Sequence, residues 1–312
     1  MVALLLGQTG DMVNEIHGLR EICKGPVADQ LSVLKGPLGH PAKEIGDFGL
    51  RQRLLRGIHG GMTSIWIVGC EPGAGQDAWR TQMKENVSMA EKNELWTAVD
   101  SYIQQTLAKN DVALDNAMEA NAAAGLPSID ITPNQGKLLH LLALATRAKH
   151  VLEIGTLGGY STIWLARALP RGGRLVTLER EPKHAEVART NLKRAGVAKK
   201  AEVRVGAAAE SLAQMHSEGV KPFDLIFIDA DKPNNAVYLD WALKLAKPGT
   251  LILVDNVVRE GALADATSED PAVVGTREMI DRIAREPRLV ATAVQTVGSK
   301  GHDGFAIALV RE

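Results

Sequence analysis

From residue 89 onward the sequence predicts a doubly wound α/β domain on a mostly parallel, seven-stranded sheet that ends in an antiparallel hairpin. Three observations carry this. Five short apolar runs, HVLEIG, RLVTLE, AEVRV, DLIFID and TLILVD, alternate with helix-patterned segments, as parallel strands joined by right-handed crossovers do. Runs such as LIFI are apolar throughout, the pattern of strands covered on both faces. The last two runs, LVATAVQTV and GFAIALV, have only GSKGHD between them, which is too short for a crossover and leaves a hairpin.

The elements follow in order from Met89. Leu95, Val99, Tyr102, Ile103 and Leu107 recur at helical spacing, and an alanine-rich stretch over about 111–124, stopped by Gly125-Leu126-Pro127, forms a second helix. These two helices are expected to act as a lid or a dimer surface. In TPNQGKLLHLLALATRA, Thr132 caps a third helix, Pro133 suits its first turn and Gln135 has capping-box spacing. Beyond residue 149, HVLEIG leads to YSTIWLARAL, and RLVTLE to a helix opened by Pro182 and closed near Gly196. AEVRV leads to AAAESLAQM, DLIFID to NNAVYLDWALKLAK, and TLILVD through a longer connection to REMIDRIARE. Open sheets of this kind bind ligands at the carboxyl ends of their strands, near the order reversal.

Residues 1–88 have another character. They hold fourteen of the thirty glycines and both cysteines, Cys23 and Cys70, and stretches such as GPLGHPAKEIGDFG and HGGMTS interrupt any long helix. The segment is read as a poorly patterned extension, dispensable for folding and activity, with Met89 a possible initiation site. EPGAGQDAW (71–79) lacks the G-K-[ST] ending of a phosphate loop, so no nucleotide role is assigned to it.

Bulk properties narrow the function. A chain of 312 residues with 45% hydrophobic content can bury a large core. A formal net charge of -1 leaves no electrostatic footprint for nucleic acid or anionic lipid. The two cysteines are far apart, with no zinc or disulfide spacing. The opening MVALLLGQTG has neither a basic flank nor a small-residue cleavage site, and no run reaches about 18 apolar residues. A cytoplasmic protein acting on small molecules is expected, with neither nucleic acid nor membrane as partner.

The first strand-to-helix turn, Glu153-Ile154-Gly155-Thr156-Leu157-Gly158-Gly159-Tyr160-Ser161, fits either a tight turn needing positive φ or a cradle where backbone approaches a ligand. Its G-x-x-G-G spacing is not the G-x-G-x-x-G of diphosphate binding. That weakens an NAD-linked oxidoreductase. Glu179, which ends the second strand, is either an exposed strand-end acid or an acceptor for two ribose hydroxyls. Together these features point to an adenosine-bearing ligand without a diphosphate. In DLIFIDADK, Asp229 read alone is a side chain leaving the core, and Lys232 a solvated surface group. Asp255-Asn256, after the fifth strand, reads alone as a turn.

VLEIGTLGGYST, the strand ending in Glu179, VGAAAESL, FIDADKPNN and LVDNVVREG resemble, in order, the motifs of the metal-dependent class I O-methyltransferases. The caffeoyl-CoA and catechol O-methyltransferase group is the nearest branch, with bacterial small-molecule relatives nearer still. The resemblance covers about residues 89–312 and implies a Rossmann-like methyltransferase using S-adenosylmethionine. It places Glu153, Gly155, Thr156 and Ser161 at the methionine and ribose portion, Glu179 at the ribose and Ala208 beside the adenine. Asp231 matches a cofactor-side acid of the caffeoyl-CoA branch, which tilts the assignment that way. Asp229, Asp255 and Asn256 match a trio of hard oxygen ligands for Mg²⁺ or a similar divalent cation. Lys232 matches the general base that takes the phenolic proton. The expected acceptor is a catechol-like or hydroxycinnamoyl-type phenol, and the relatives suggest a homodimer. A non-catalytic S-adenosylmethionine-binding scaffold is the alternative, although such a protein would not need Asp229, Lys232, Asp255 and Asn256 all intact.

Other residues take plainer readings. Trp164, Trp241 and Tyr238 sit at helical spacings and read as packing residues. His140 and His150 read as structural or exposed. Arg259 and Glu260 lie in a connection that could form a substrate flap, with no chemistry assigned.

Overall fold

Three helices lead into the sheet: α1 (Met89–Thr106), α2 (Val112–Ala123) and α3 (Pro133–Ala145). In the computed structural model the described residues are 89–311 and five short strands before them, and the chain divides into two compact units, Met1–Val87 and Ser88–Glu312. In the first unit, Ala3–Leu4, Ile67–Cys70 and Gln52–Leu54 form an antiparallel sheet in that order, and Ile58–Gly60 pairs with Thr63–Ile65. The readings of EPGAGQDAW and of Cys23 lie outside the described residues.

The second unit follows the expected alternation: β1 (His150–Ile154), α4 (Tyr160–Ala168), β2 (Arg174–Glu179), α5 (Pro182–Arg194), β3 (Ala201–Val205), α6 (Ala208–Ser217), β4 (Leu225–Ile228), α7 (Asn235–Leu245), β5 (Leu251–Asp255), α8 (Pro271–Arg285), β6 (Leu289–Gly298) and β7 (Gly301–Val310). The strands form one seven-stranded sheet in the order β6-β7-β5-β4-β1-β2-β3. β7 is antiparallel to both β5 and β6, while the other pairs are parallel. The order reverses between β1 and β4, where the crossovers part to opposite faces and leave a crevice.

Alternation along each strand feeds two cores, because successive side chains point to opposite faces. Val151, Leu225, Phe227 and Leu253 join α3, α4 and α5 on one face, whereas Leu152, Ile226, Ile228 and Val254 join α6, α7 and α8 on the other. At the entrance to α3, Thr132 and Gln135 form the reciprocal capping box, with Pro133 in the first turn. Gly136 then lets α3 lie against Trp164 of α4, since a Cβ there would meet the indole at 2.4 Å. Trp164 is buried, as its packing reading required. His140 Nδ1 lies 3.0 Å from the Trp164 carbonyl oxygen, a structural role. The apolar stripe of α1 stays largely outside this core: Leu95, Val99, Tyr102 and Leu107 are exposed.

Candidate active site

Strand register assembles the site. Ile154 of β1 lies beside Leu178 of β2 and Ile228 of β4, and Ile228 lies beside Val254 of β5. One step further along each strand come Glu179, Gly155, Asp229 and Asp255. Four residues far apart in sequence thus share one line across the carboxyl edge, spanning the order reversal.

Gly155 has φ +102°, and a Cβ there would sit 2.2 Å from the Asp229 carbonyl oxygen. The close approach of these two strand ends therefore requires glycine. Below the turn, Glu153 is fully buried and accepts hydrogen bonds from the Ser161 hydroxyl at 2.6 Å and from Thr162. Burial pushes its carboxyl up to about 7, against the pull of those hydroxyls. Glu153 and Ser161 thus meet each other beneath the turn. The Thr156 hydroxyl faces Thr177 of β2, so what Thr156 offers the turn is backbone. Glu179 is buried and braces the same turn, accepting from the Thr156 and Leu157 amides at 3.3 and 2.7 Å and from the Glu181 amide at 2.9 Å. Ala208, half-buried, opens α6 beyond the neighbouring strand β3.

At the end of β4, Lys232 Nζ donates to Asp229 Oδ1 at 2.7 Å, with both side chains largely covered. Lys232 sits in a 3₁₀ turn, Lys232–Asn234, held against α8 because Gly275 has no side chain: a Cβ would lie 2.5 Å from the Lys232 carbonyl oxygen. Asp231 accepts from the Tyr238 hydroxyl at 2.5 Å and from Asn234. Tyr238 is buried as expected, but its hydroxyl also anchors this acid. Burial, then the Asp231 carboxylate, raises the phenol's pKa.

Asp255 is nearly enclosed, and Asn256 follows it with φ +57°. Burial first, then the Asp229 carboxylate, pushes the Asp255 carboxyl up to about 7, with Lys232 pulling the other way. Two neighbouring carboxylates that repel each other at a buried rim, joined by an amide, form a donor set that suits a hard divalent cation. Among the described residues no group of three or more His, Cys, Asp or Glu side chains is arranged to hold a metal. A cation here would rest on this mixed set. In front of Asp255 and Asn256 lies a cavity of about 670 Å³, walled by Ile103 of α1, Leu138 of α3, Arg259 after β5, and Asp303 of β7.

Sequence reasoning missed several positioning residues. Asp303 Oδ1 accepts from the amides of Val258, Arg259 and Gly304 and so holds the chain after Asn256. Buried Asn121 of α2 donates to Asp130 at 3.0 Å, accepts from Asn191, and leaves no room for a side chain at Gly158. No local pattern marks either residue, since HDG reads as a hairpin turn and Asn121 lies in an alanine-rich helix.

A glycine turn at the order reversal of a seven-stranded sheet with this strand order, braced by a strand-end acid, is the arrangement of Rossmann-like methyltransferases. Residues 104–310 match the O-methyltransferase family model. A catechol O-methyltransferase of Niastella koreensis is 50% identical over 219 residues, covering 70% of this chain and 99% of the relative. A catechol O-methyltransferase of Mycobacterium tuberculosis is 54% identical over 213 residues, covering 68% of this chain and 95% of the relative. The crystal structure of a Bacillus cereus O-methyltransferase in complex with SAH superposes with a TM-score of 0.69 at 56% identity, over 70% of this chain and all of that one. The chain belongs to the S-adenosylmethionine-dependent O-methyltransferase family. Among the described residues no helix is long and apolar enough to cross a membrane.

Proposed function

We propose that the chain methylates one hydroxyl of a vicinal diphenol, with a divalent cation held by Asp229, Asp255 and Asn256 and with Lys232 as general base. One observation carries the reading: Asp229 shares a register line with Asp255, which lines the 670 Å³ cavity, and Lys232 Nζ lies against Asp229. The Niastella koreensis and Mycobacterium tuberculosis relatives, which share about half their residues with this chain, bear the catechol name. The acceptor class proposed therefore follows them rather than the hydroxycinnamoyl leaning drawn from Asp231.

A bound divalent cation would supply the positive charge that lowers the pKa of an acceptor hydroxyl at this rim. Lys232 Nζ is assigned to accept the hydroxyl proton, and its place in a turn packed on α8 fixes where that nitrogen lies. Glu153, Gly155, Thr156, Ser161 and Glu179 shape and hold the turn for the S-adenosylmethionine methionine and ribose. Ala208 is assigned to the adenine and Asp231 to the cofactor side. As the oxygen–carbon bond forms, the carbon–sulfur bond breaks and its electron pair stays on sulfur, leaving a neutral thioether. Holding both reactants at near-contact distance supplies much of the acceleration. The exposed apolar stripe of α1 supports a homodimer, which sedimentation of the purified chain tests.

The deciding experiment is methyl transfer to 4-methylcatechol with Mg²⁺ and with EDTA. Transfer with the metal and its loss with the chelator are expected. SAH binding without transfer to any vicinal diol would favour a scaffold protein, and transfer indifferent to EDTA would remove the cation from the proposal.

A further inference from the structure

The acceptor cavity carries a charge that the proposed reaction does not use. Its charged walls are Asp100, Asp255, Arg259, Lys300 and Asp303. Asp255 belongs to the candidate cation site. Asp100 accepts from Asn134 at 2.6 Å and from the Ser299 amide and hydroxyl at 2.9 and 3.1 Å. Asp303 holds three backbone amides, and Lys300 Nζ donates to the Asp130 carbonyl oxygen. That leaves Arg259. Its guanidinium has no hydrogen bond or ion pair among the described residues, and its Nε is buried without a partner.

Leaving the buried Nε donor of this half-buried arginine unpaired is costly, so it calls for an explanation. The backbone beneath it is held in place against a local preference. Arg259 and Glu260 have φ +57° and +55°, two successive left-handed non-glycine residues, a conformation that clusters where surrounding structure enforces it for function. The enforcing contacts come from the β6–β7 hairpin. Asp303 Oδ1 accepts the Val258 and Arg259 amides at 3.1 and 3.2 Å, and Glu260 Oε2 accepts the His302 amide at 3.4 Å. Arg277 of α8 donates to the Leu263 carbonyl from the other side. The turn is thus tied to two elements, which makes a loose surface arginine a poor description of Arg259.

We infer that Arg259 is an acceptor-specificity residue whose guanidinium pairs with a carboxylate on the diphenol ring, so that this chain prefers catechols bearing an acidic substituent. Arginine offers two parallel donors that match a carboxylate bidentately. Arg259 lies three residues past Asn256, a span of at most about 11 Å of chain. One ring can therefore present its hydroxyls to the Asp255–Asn256 rim and its acid to Arg259. The inference rests on the proposed diphenol reading and adds a substituent to it.

The test compares 3,4-dihydroxybenzoate with 3,4-dihydroxybenzamide, which share a shape and differ in charge. For the wild-type chain, kcat/KM and, by calorimetry with SAH and Mg²⁺ present, Kd are measured for both. The acid is expected to be favoured at least tenfold in each. Arg259→Gln should cut the acid-to-amide ratio at least tenfold, and Arg259→Lys should keep part of it. Equal wild-type affinity for acid and amide, or a ratio unchanged in Arg259→Gln, overturns the inference. If Arg259→Gln does not fold, the wild-type comparison and Arg259→Lys still decide. Turnover without a charge preference would sink this inference and leave the diphenol reading standing. A charge preference in binding without turnover would do the reverse.

Discussion

Gly155 and Asp229 are in backbone contact across β1 and β4: the Cβ that Gly155 lacks would lie 2.2 Å from the Asp229 carbonyl oxygen. The glycine turn proposed to hold the cofactor and the strand end carrying the candidate cation ligand are therefore set by one approach, and a side chain at residue 155 must disturb both. Gly155→Ala should destabilise the domain by about 2 kcal/mol or more, because it adds a clash to a positive φ, and should weaken SAH binding. Gly196 also has positive φ (+71°) but nothing within 4 Å, so Gly196→Ala should cost only about 1 kcal/mol and leave SAH affinity in place. Chemical denaturation and calorimetry on the two variants check the contrast.

Lys232 is held by its pairing with Asp229 and by the α8 contact that Gly275 permits. Lys232→Met should lower kcat by about 10²–10⁴, the range for loss of a general acid–base group. SAH affinity should change by less than about threefold if the lysine serves the acceptor side, as proposed. A parallel fall in both quantities would instead mark Lys232 as structural.

Glu153 gives a pH signature that needs no substrate. Its folded pKa, about 7, lies above the ordinary carboxyl value of 4.5, so the native state holds its proton more tightly than the unfolded chain. The stability this contributes is full below about pH 4.5 and is lost as pH rises through about 7. The melting temperature of wild type relative to that of Glu153→Gln should therefore fall as pH is raised from 5 to 8. A constant difference across that range would show that Glu153 is ionised in the native protein throughout.

Asp255 sets stability against function. Its buried carboxyl, pressed by Asp229, has a raised pKa, so at pH 8 the metal-free protein carries an unfavourable charge there. Asp255→Asn should raise the metal-free melting temperature at pH 8 by about 2–4 °C, the response to roughly 1 kcal/mol in a domain of this size. The same change should abolish stabilisation by added Mg²⁺ and reduce kcat/KM at least about 100-fold. Differential scanning fluorimetry with and without Mg²⁺, alongside the transfer assay, checks all three.

Much of the fold was legible because its signals are local. Apolar runs of four to six residues between capped helices specify parallel strands, and GSKGHD is too short for anything but a hairpin. The Thr132–Gln135 capping box and the burial of Trp164 follow from residues close in sequence or from simple periodicity. The α1 stripe was equally legible as a helix, but its spacing did not reveal that Leu95, Val99, Tyr102 and Leu107 stay exposed. Nor did the sequence give Tyr238 its second role against Asp231, because packing and hydrogen bonding by one tyrosine leave the same helical period.

What the chain alone determined was the alternation of strands and helices, the glycine turn, and the strand ends at which acids occur. Side-chain periodicity and capping act over a few residues, so one dimension suffices to express them. What tertiary structure decided was which of those ends meet. Register placed Gly155, Glu179, Asp229 and Asp255 on one line, and the hairpin brought Asp303 beneath Arg259. Contacts such as Arg259–Asp303 and Gly155–Asp229, 44 and 74 positions apart, depend on the order in which strands pair, and that order is fixed only when two cores close on the faces of one sheet.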